Sequence, residues 1–388
     1  MKILYVSALI SKTKSNYIIN NAKQKPLQSI QRFHRLLCEG FIKNNIQVKT
    51  ISAIPMSRKI LKKIFWFEKK EIENGVEYTY LPFLNIKIIR QVCLLFSTIV
   101  KIISESLNSK KDKVVICDIL NTTISTTSLI ISKLLKIPCI AIVTDLPRDI
   151  GSRYSISRKI NEFFQSKYDG YIILTEAMNN VVNAKQKPYV VIEGVADSKM
   201  FIQEDTSLDK YKEKVCIYAG GLYEKYGVKT LIQAFMKLEN EDARLHLYGS
   251  GDLETYITTL KDNRVIYYGV VTNDEILNAE NKATLLINPR FTDGEYTKYS
   301  FPSKNIEYMS TGTPVLTTKL KGMPKEYYQY VYLFDEESVE GYYRTLNTLL
   351  SKSADELQLK GKSAQEFIKI NKNNKKQSGL IIALIERM

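Results

Sequence analysis

Short apolar runs alternate with stretches of helical spacing along almost the whole chain. In the first half the strand-like runs fall at residues 3–6, 48–51, 114–117, 139–143, 170–174 and 189–192. Helix-like stretches such as 27–43 and 94–107 lie between them. A second series of runs begins at 215–219 and continues at 244–248, 265–268, 285–288 and 315–317. Alternation of this kind predicts parallel α/β sheets and argues against a β-sandwich or a helical bundle. The two series are separated by a polar stretch, 195–214, which reads as the joint between two Rossmann-like domains. The expected division is 1–193, 194–370 and a C-terminal segment, 371–388, returning as a helix to the first domain.

In open parallel sheets, ligands bind beyond the carboxyl ends of the strands. The loop after 215–219 opens on Gly220 and Gly221 and reaches Lys225; the loop after 244–248 reads Gly249, Ser250, Gly251. Paired glycines let backbone approach a ligand, and a lysine nearby supplies charge for a phosphate. Either turn alone is equally well explained by the geometry of a strand-to-helix turn. Val270, past the run 265–268, and Asn288, the last residue of the run 285–288, join this donor-binding set.

The most informative stretch runs from Tyr299 through Ser300, Phe301, Pro302, Ser303, Lys304 and Glu307 to Gly312 and Pro314. Pro302 suits the first turn of a helix, and Gly312 followed by Pro314 marks its end. Backbone N–H groups near Ser300–Lys304 would face outward at a helix N-terminus, a seat for a diphosphate that Lys304 reinforces. Glu307, one turn on, could accept hydrogen bonds from a ribose diol. In isolation Lys304 and Glu307 would read as an ordinary surface pair.

Composition narrows the choice. The chain has 388 residues, enough for two domains, and only two histidines, His34 and His246. The five cysteines are scattered, with no CxxC, so neither a disulfide framework nor a metal cluster is expected, and a reducing cytoplasm fits. The opening MKILYVSALI reads as a first strand rather than a leader. The longest apolar stretch, 92–100, is far short of the roughly 18 residues a membrane span requires. No GxGxxG follows the first strand, since the first glycine is Gly40, and no P-loop motif occurs. Dinucleotide oxidoreduction and P-loop phosphoryl transfer are thereby disfavoured. The net charge of +15 lies wholly in residues 1–197, so an anionic partner is expected there.

With these pieces in place, the chain resembles the retaining glycosyltransferases of GT-B fold, family four (glycosyl transferases group 1). Four pieces stand in that family's order: Glu193 to Asp197 with Phe201; Gly220 to Val228; Leu247 to Gly251; and Phe301 to Val315. The resemblance implies two Rossmann-like domains facing each other across a cleft, the second holding a nucleoside diphosphate sugar, expected to be a UDP-sugar. It implies a hexosyltransferase-type reaction with retention and no metal or other cofactor, with Lys225, Lys304 and the helix end stabilising the departing diphosphate. Departures are visible. Gly221 stands where the family carries Arg, and Tyr299 where it carries the first of two glutamates. Asp293 or Glu295 is the expected replacement for that carboxylate, and Asp145 is the candidate for contacting sugar or acceptor. The expected catalytic set is Asp145, Lys225 and Glu307.

On the acceptor side, residues 57–70 are basic and aromatic, with Arg58, Lys59, Lys62, Lys63 and the single Trp66. Helical spacing of their apolar residues predicts an amphipathic helix, either on an anionic membrane with a lipid-linked or surface-polysaccharide glycan acceptor, or packed on the domain with a solvated basic face. No nucleic-acid module accompanies the charge. The expected location is the cytoplasm, peripheral on the inner face of the membrane. Two rivals are a nucleotide-sugar epimerase on the same fold and a catalytically silent scaffold of a glycan assembly complex.

Overall fold

The computed structural model describes residues 1–21, 29–56, 62–107, 112–146, 156–201 and 210–388. It divides into two compact units, residues 1–195 with 374–388 and residues 196–373. The sequence pattern placed this division at 193/194 and again at 370/371.

Unit 1 begins with β1 (Lys2–Ser7), α1 (Lys12–Asn21), α2 (Ser29–Lys43) and β2 (Gln47–Ser52). Short strands follow: β3 (Phe65–Trp66), β4 (Glu71–Glu73), β5 (Val76–Tyr80) and β6 (Phe83–Leu84). The rest alternates α3 (Lys87–Leu107), β7 (Lys113–Asp118), α4 (Thr122–Leu134), β8 (Cys139–Val143), α5 (Ile156–Gln165), β9 (Gly170–Ile173), α6 (Glu176–Val182) and β10 (Tyr189–Val191). Eight strands form one sheet in the order β10-β9-β8-β7-β1-β2-β5-β4, parallel except where β4 turns back on β5. β1 and β8 are buried along their whole length, which is why their sequences are unbroken apolar runs. Right-handed crossovers dictate the layers. The chain steps from β5 to β7, β8, β9 and β10 in one direction, so α3 to α6 cover one face, while α2, stepping from β1 to β2, covers the other.

Over 62–70, the described part of the segment expected as an amphipathic helix, no helix forms. Arg58 and Lys59 lie outside the described residues. β3 pairs antiparallel with β6, which aligns Trp66 with Phe83. Trp66 is 2% exposed, its ring stacked on Phe83 at 6.1 Å, and its indole N–H donates to the Lys63 carbonyl. Lys63 pairs with Glu68 at 2.7 Å, and Lys62 is exposed. The only tryptophan is thus a core residue: a two-residue strand gives alternation, which places Phe65 outside and Trp66 inside.

Unit 2 runs through β11 (Lys214–Ala219), α7 (Val228–Met236), β12 (Ala243–Tyr248), α8 (Glu254–Thr258), β13 (Val265–Gly269) and α9 (Asn273–Lys282). It continues with β14 (Leu285–Asn288), α10 (Ser303–Ser310), β15 (Val315–Thr317), β16 (Tyr332–Leu333), α11 (Val339–Leu350) and α12 (Ala354–Asn371). Its six strands are all parallel, in the order β13-β12-β11-β14-β15-β16. The order reverses between β11 and β14, and a doubly wound sheet places its ligand beyond the strand ends at that point. The last helix, α13 (Asn374–Glu386), belongs to unit 1 and packs on α2. The approach is close: a methyl on Gly40 would land 2.0 Å from the Asn374 carbonyl oxygen.

Candidate donor site

The two strands flanking the switch point deliver the site. β11 ends at Ala219, whose N–H donates to the Tyr308 hydroxyl at 2.9 Å, so α10 holds the strand end directly. Gly220 and Gly221 follow, and the Tyr218 hydroxyl reaches forward to donate to the Gly221 carbonyl at 2.7 Å. The second glycine turn packs beneath the first. Gly220 N–H donates to the Tyr248 carbonyl and Leu222 N–H to that of Ser250. Gly249 has φ of 124°, and a Cβ there would meet the Gly220 carbonyl oxygen at 1.9 Å. Gly249 and Gly251 therefore serve the packing of one turn on the other, with Ser250 exposed at the tip.

Gly220 has a different task. A methyl on it would fall 1.4 Å from Lys304 Nζ, so the ammonium occupies the space over the bare backbone. Lys304 sits in the first turn of α10 and also lies 4.7 Å from the centroid of the Tyr218 ring. Burial pushes its pKa down to about 8, against the pull of Glu307 and Glu280 and with further lowering by Arg290. A cation held in this condition is poised to gain from an arriving anion.

Pro302 stands at the N-cap of α10 and no side chain caps the first turn. The Ser300 hydroxyl is buried without a hydrogen-bond partner. Ser303 is exposed on the first turn, and Glu307 lies one turn farther in, near enough to raise the Lys304 pKa.

Sequence reasoning missed one residue here. Arg290 follows the end of β14, on the other side of the switch point. Its guanidinium lies 5.5 Å from the Tyr226 ring and 5.1 Å from that of Tyr296, and its Nε is buried without a partner. Its carbonyl accepts from the Thr318 hydroxyl, which fixes the backbone. Lys225, on the exposed turn after the glycine pair, also lies over Tyr226, at 5.3 Å. Lys225 and Arg290 thus share one tyrosine, and Arg290 is close enough to Lys304 to lower its pKa. The signal is the strand end at the switch point, which makes the residue after Asn288-Pro289 a candidate site position.

Other predicted positions divide. Phe301 is a core residue, 5% exposed against Tyr327, so only its backbone is available to a ligand. Asn288 is buried; its amide donates to Asn305 Oδ1 at 2.8 Å, tying β14 to α10. In both cases the side chain is taken up by the packing of α10 and its neighbours on the sheet. Asp293 and Glu295 are exposed on the loop 291–298, whose Thr292 N–H is held by Glu337. Tyr299 is half-buried after that loop, and Val270 is exposed beyond β13. Asp145 lies in unit 1, half-buried just past β8. Among the described residues, no group of three or more His, Cys, Asp or Glu could hold a metal ion.

Residues 213–352 match the family model for glycosyl transferases group 1. Unit 2 carries a glycosyl transferases group 1 domain. That domain spans β11 to α11 and contains every unit 2 residue of the candidate donor site. The whole chain matches solved glycosyltransferase structures in fold. Sucrose-phosphate synthase from Thermosynechococcus elongatus superposes with a TM-score of 0.67 at 12% identity, over 100% of this chain and 99% of that one. Anabaena HepE in complex with UDP-glucose gives 0.65 at 13%, over 100% of both chains. The pneumococcal O-GlcNAc transferase GtfA in complex with UDP and GlcNAc gives 0.61 at 12%, over 100% and 99%. At such identities the likeness establishes the GT-B fold of two α/β domains. No curated protein matches the chain by sequence.

Proposed function

We propose that the chain transfers a sugar from a UDP-sugar to a glycan or lipid-linked acceptor, with retention at the anomeric carbon and without a metal. The observation that carries this reading is the first turn of α10, where Lys304 lies close to Arg290, which shares the Tyr226 ring with Lys225. Arg290 and burial both disfavour the charged Lys304, and an arriving anion would offset that cost. A diphosphate matches the need in charge and size. As the glycosidic bond to phosphate breaks, negative charge grows on the leaving oxygen, and fixed cations stabilise that charge more than the ground state. Glu307 is assigned the ribose diol. Asp145 is assigned to the acceptor side. The UDP-bound condition of HepE and GtfA supports the choice of base.

The test is a thermal-shift panel of UDP, GDP, ADP and their sugar conjugates, followed by product analysis with donor alone. We expect a shift with UDP and UDP-sugars, and slow release of UDP. Quantitative isomerisation of the donor without UDP release would instead establish an epimerase. No shift with any nucleotide would remove the donor reading.

A further inference from the structure

We propose that Tyr308 and Asn305 are positioning residues for the donor site, holding apart the strand ends at the switch point so that Lys304 lies over Gly220. The proposal rests on the donor reading of that site. β11 is paired with β12 along its whole length, from Lys214↔Ala243 to Ala219↔Tyr248. Its pairing with β14 covers two positions, Cys216↔Leu285 and Ile217↔Leu286. β14 runs on to Asn288 in register with β15, so the sheet splits between β11 and β14 at its carboxyl end.

A split sheet leaves backbone groups without strand partners. In a strand, the N–H and C=O groups of successive residues point to opposite edges. Gly220 N–H reaches the Tyr248 carbonyl on the β12 side, and the Val215 carbonyl accepts from Thr284 N–H on the β14 side. Ala219 shares the edge of Val215, so both its groups turn toward β14, beyond the last paired residues. Tyr308 fills that place. Its hydroxyl accepts from Ala219 N–H at 2.9 Å and donates to the Ala219 carbonyl at 3.4 Å, so one side chain stands in for a strand.

The other side of the split is held from the same helix. Asn305 Oδ1 accepts at 2.8 Å from Asn288 at the end of β14, and the Asn305 amide donates to the Thr317 hydroxyl at the end of β15 at 3.3 Å. Asn305 and Tyr308 are three residues apart on one face of α10, and both are buried. Filling the core requires neither polar group, since apolar side chains of similar volume would pack there. What the pair fixes is the strand end that leads into the glycine turn. Ala219 is followed directly by Gly220, over which the Lys304 ammonium lies, 1.4 Å from where a methyl would be. A displaced strand end would therefore loosen the fit of Lys304. The charges acting on Lys304 are Glu307, Glu280 and Arg290, and neither positioning residue adds one. Its titration thus reports its placement.

The experiment measures UDP affinity by calorimetry between pH 7 and 10 for wild type, Tyr308→Phe, Asn305→Ser and Ile232→Val. Ile232 is fully buried in the unit 2 core, so its variant lowers stability without touching the split. We expect Tyr308→Phe to bind UDP roughly tenfold more weakly at pH 7. The decline of its affinity with pH should also start higher than the value of about 8 set by buried Lys304, because a loosened ammonium regains water. Asn305→Ser should show both changes in smaller measure. Ile232→Val should melt lower and keep both the affinity and the bend. Unchanged affinity in Tyr308→Phe, or weaker binding with an unmoved bend, would overturn the proposal and leave Tyr308 a packing residue. If Tyr308→Phe does not fold, Asn305→Ser decides by the same criterion. A wild-type chain that binds no UDP would overturn the donor reading itself, and this proposal with it.

Discussion

Two helix ends, one in each unit, begin from the same physics and are left in opposite conditions. Every helix N-terminus presents N–H groups without intrahelical partners and a partial positive charge. In unit 1 the end of α1 is filled from within. The Glu73 carboxylate accepts from Lys12 N–H at 2.6 Å and from Thr13 N–H at 3.1 Å, and Ser11 Oγ accepts from Lys14 N–H at 2.9 Å. The loop before it is closed too, with Ile10 N–H given to Gln31 and Leu9 N–H to Ser7. In unit 2 the end of α10 has no capping side chain, an unpartnered Ser300 hydroxyl, and a desolvated Lys304 in place of a carboxylate. On the proposed function, the end that carries a cation in place of an acid is the one that takes a ligand bringing its own negative charge.

The sharpest way to break this contrast is Lys304→Met. Charge-assisted hydrogen bonds are worth about 1.5–3 kcal/mol, so UDP affinity measured by calorimetry should fall on the order of 100-fold. The free variant should melt higher than wild type, because removing a cation whose pKa is lowered to about 8 relieves a desolvation cost. Loss of binding together with loss of stability would instead make Lys304 a structural residue. Arg290→Met should weaken UDP about tenfold, with Arg290→Lys partly restoring it, since a guanidinium stacked between two tyrosines is only partly replaced by an ammonium. A smaller effect follows from pH. The free Lys304 is charged below about 8, and a bound diphosphate holds the proton on, so affinity should be flat from pH 7 to 8 and decline above it. Lys304→Arg, which stays charged, should remove the bend.

Much of this was legible in the sequence, and the reasons are local. β8, β14 and β15 lie where apolar runs lie, because strands buried on both faces write themselves as unbroken hydrophobic stretches. Lys304 was legible because proline, lysine and a later glycine fix a short helix with its N-terminus outward. Arg290 was not, because a single arginine after a strand has no periodicity, and only the sheet order reveals that β14 borders the switch point. The β4–β5 hairpin had a signal that was passed over: Asn74 and Gly75, with φ of 51° and 79°, form the two-residue turn typical of hairpins. Trp66 misled for a different reason. Apolar residues at 60, 61, 64, 65 and 67 fit helical spacing, and a two-residue strand is too short to show its own period.

The other half of the contrast predicts the smallest effect and the most specific one. Glu73→Gln keeps the shape of the cap at α1 but removes its charge, so it should cost about 0.5–1 kcal/mol and lower the melting temperature by roughly 2 °C. Burial would raise the Glu73 pKa, but hydrogen bonds from the Lys12 and Thr13 backbone and from the Thr13 hydroxyl outweigh it and hold the carboxyl below its ordinary value. The sign follows: a group charged more readily when folded adds stability above the ordinary carboxylate range and loses it as pH falls through the lowered value. The difference between wild type and Glu73→Gln should therefore be full at pH 7 and vanish in acid, as followed by circular dichroism melts across pH 3–7. UDP affinity should be untouched, because that end of α1 already holds its anion. A Glu73→Gln variant that lost UDP binding as Lys304→Met does would mean that the occupied end and the open end are not separate in function.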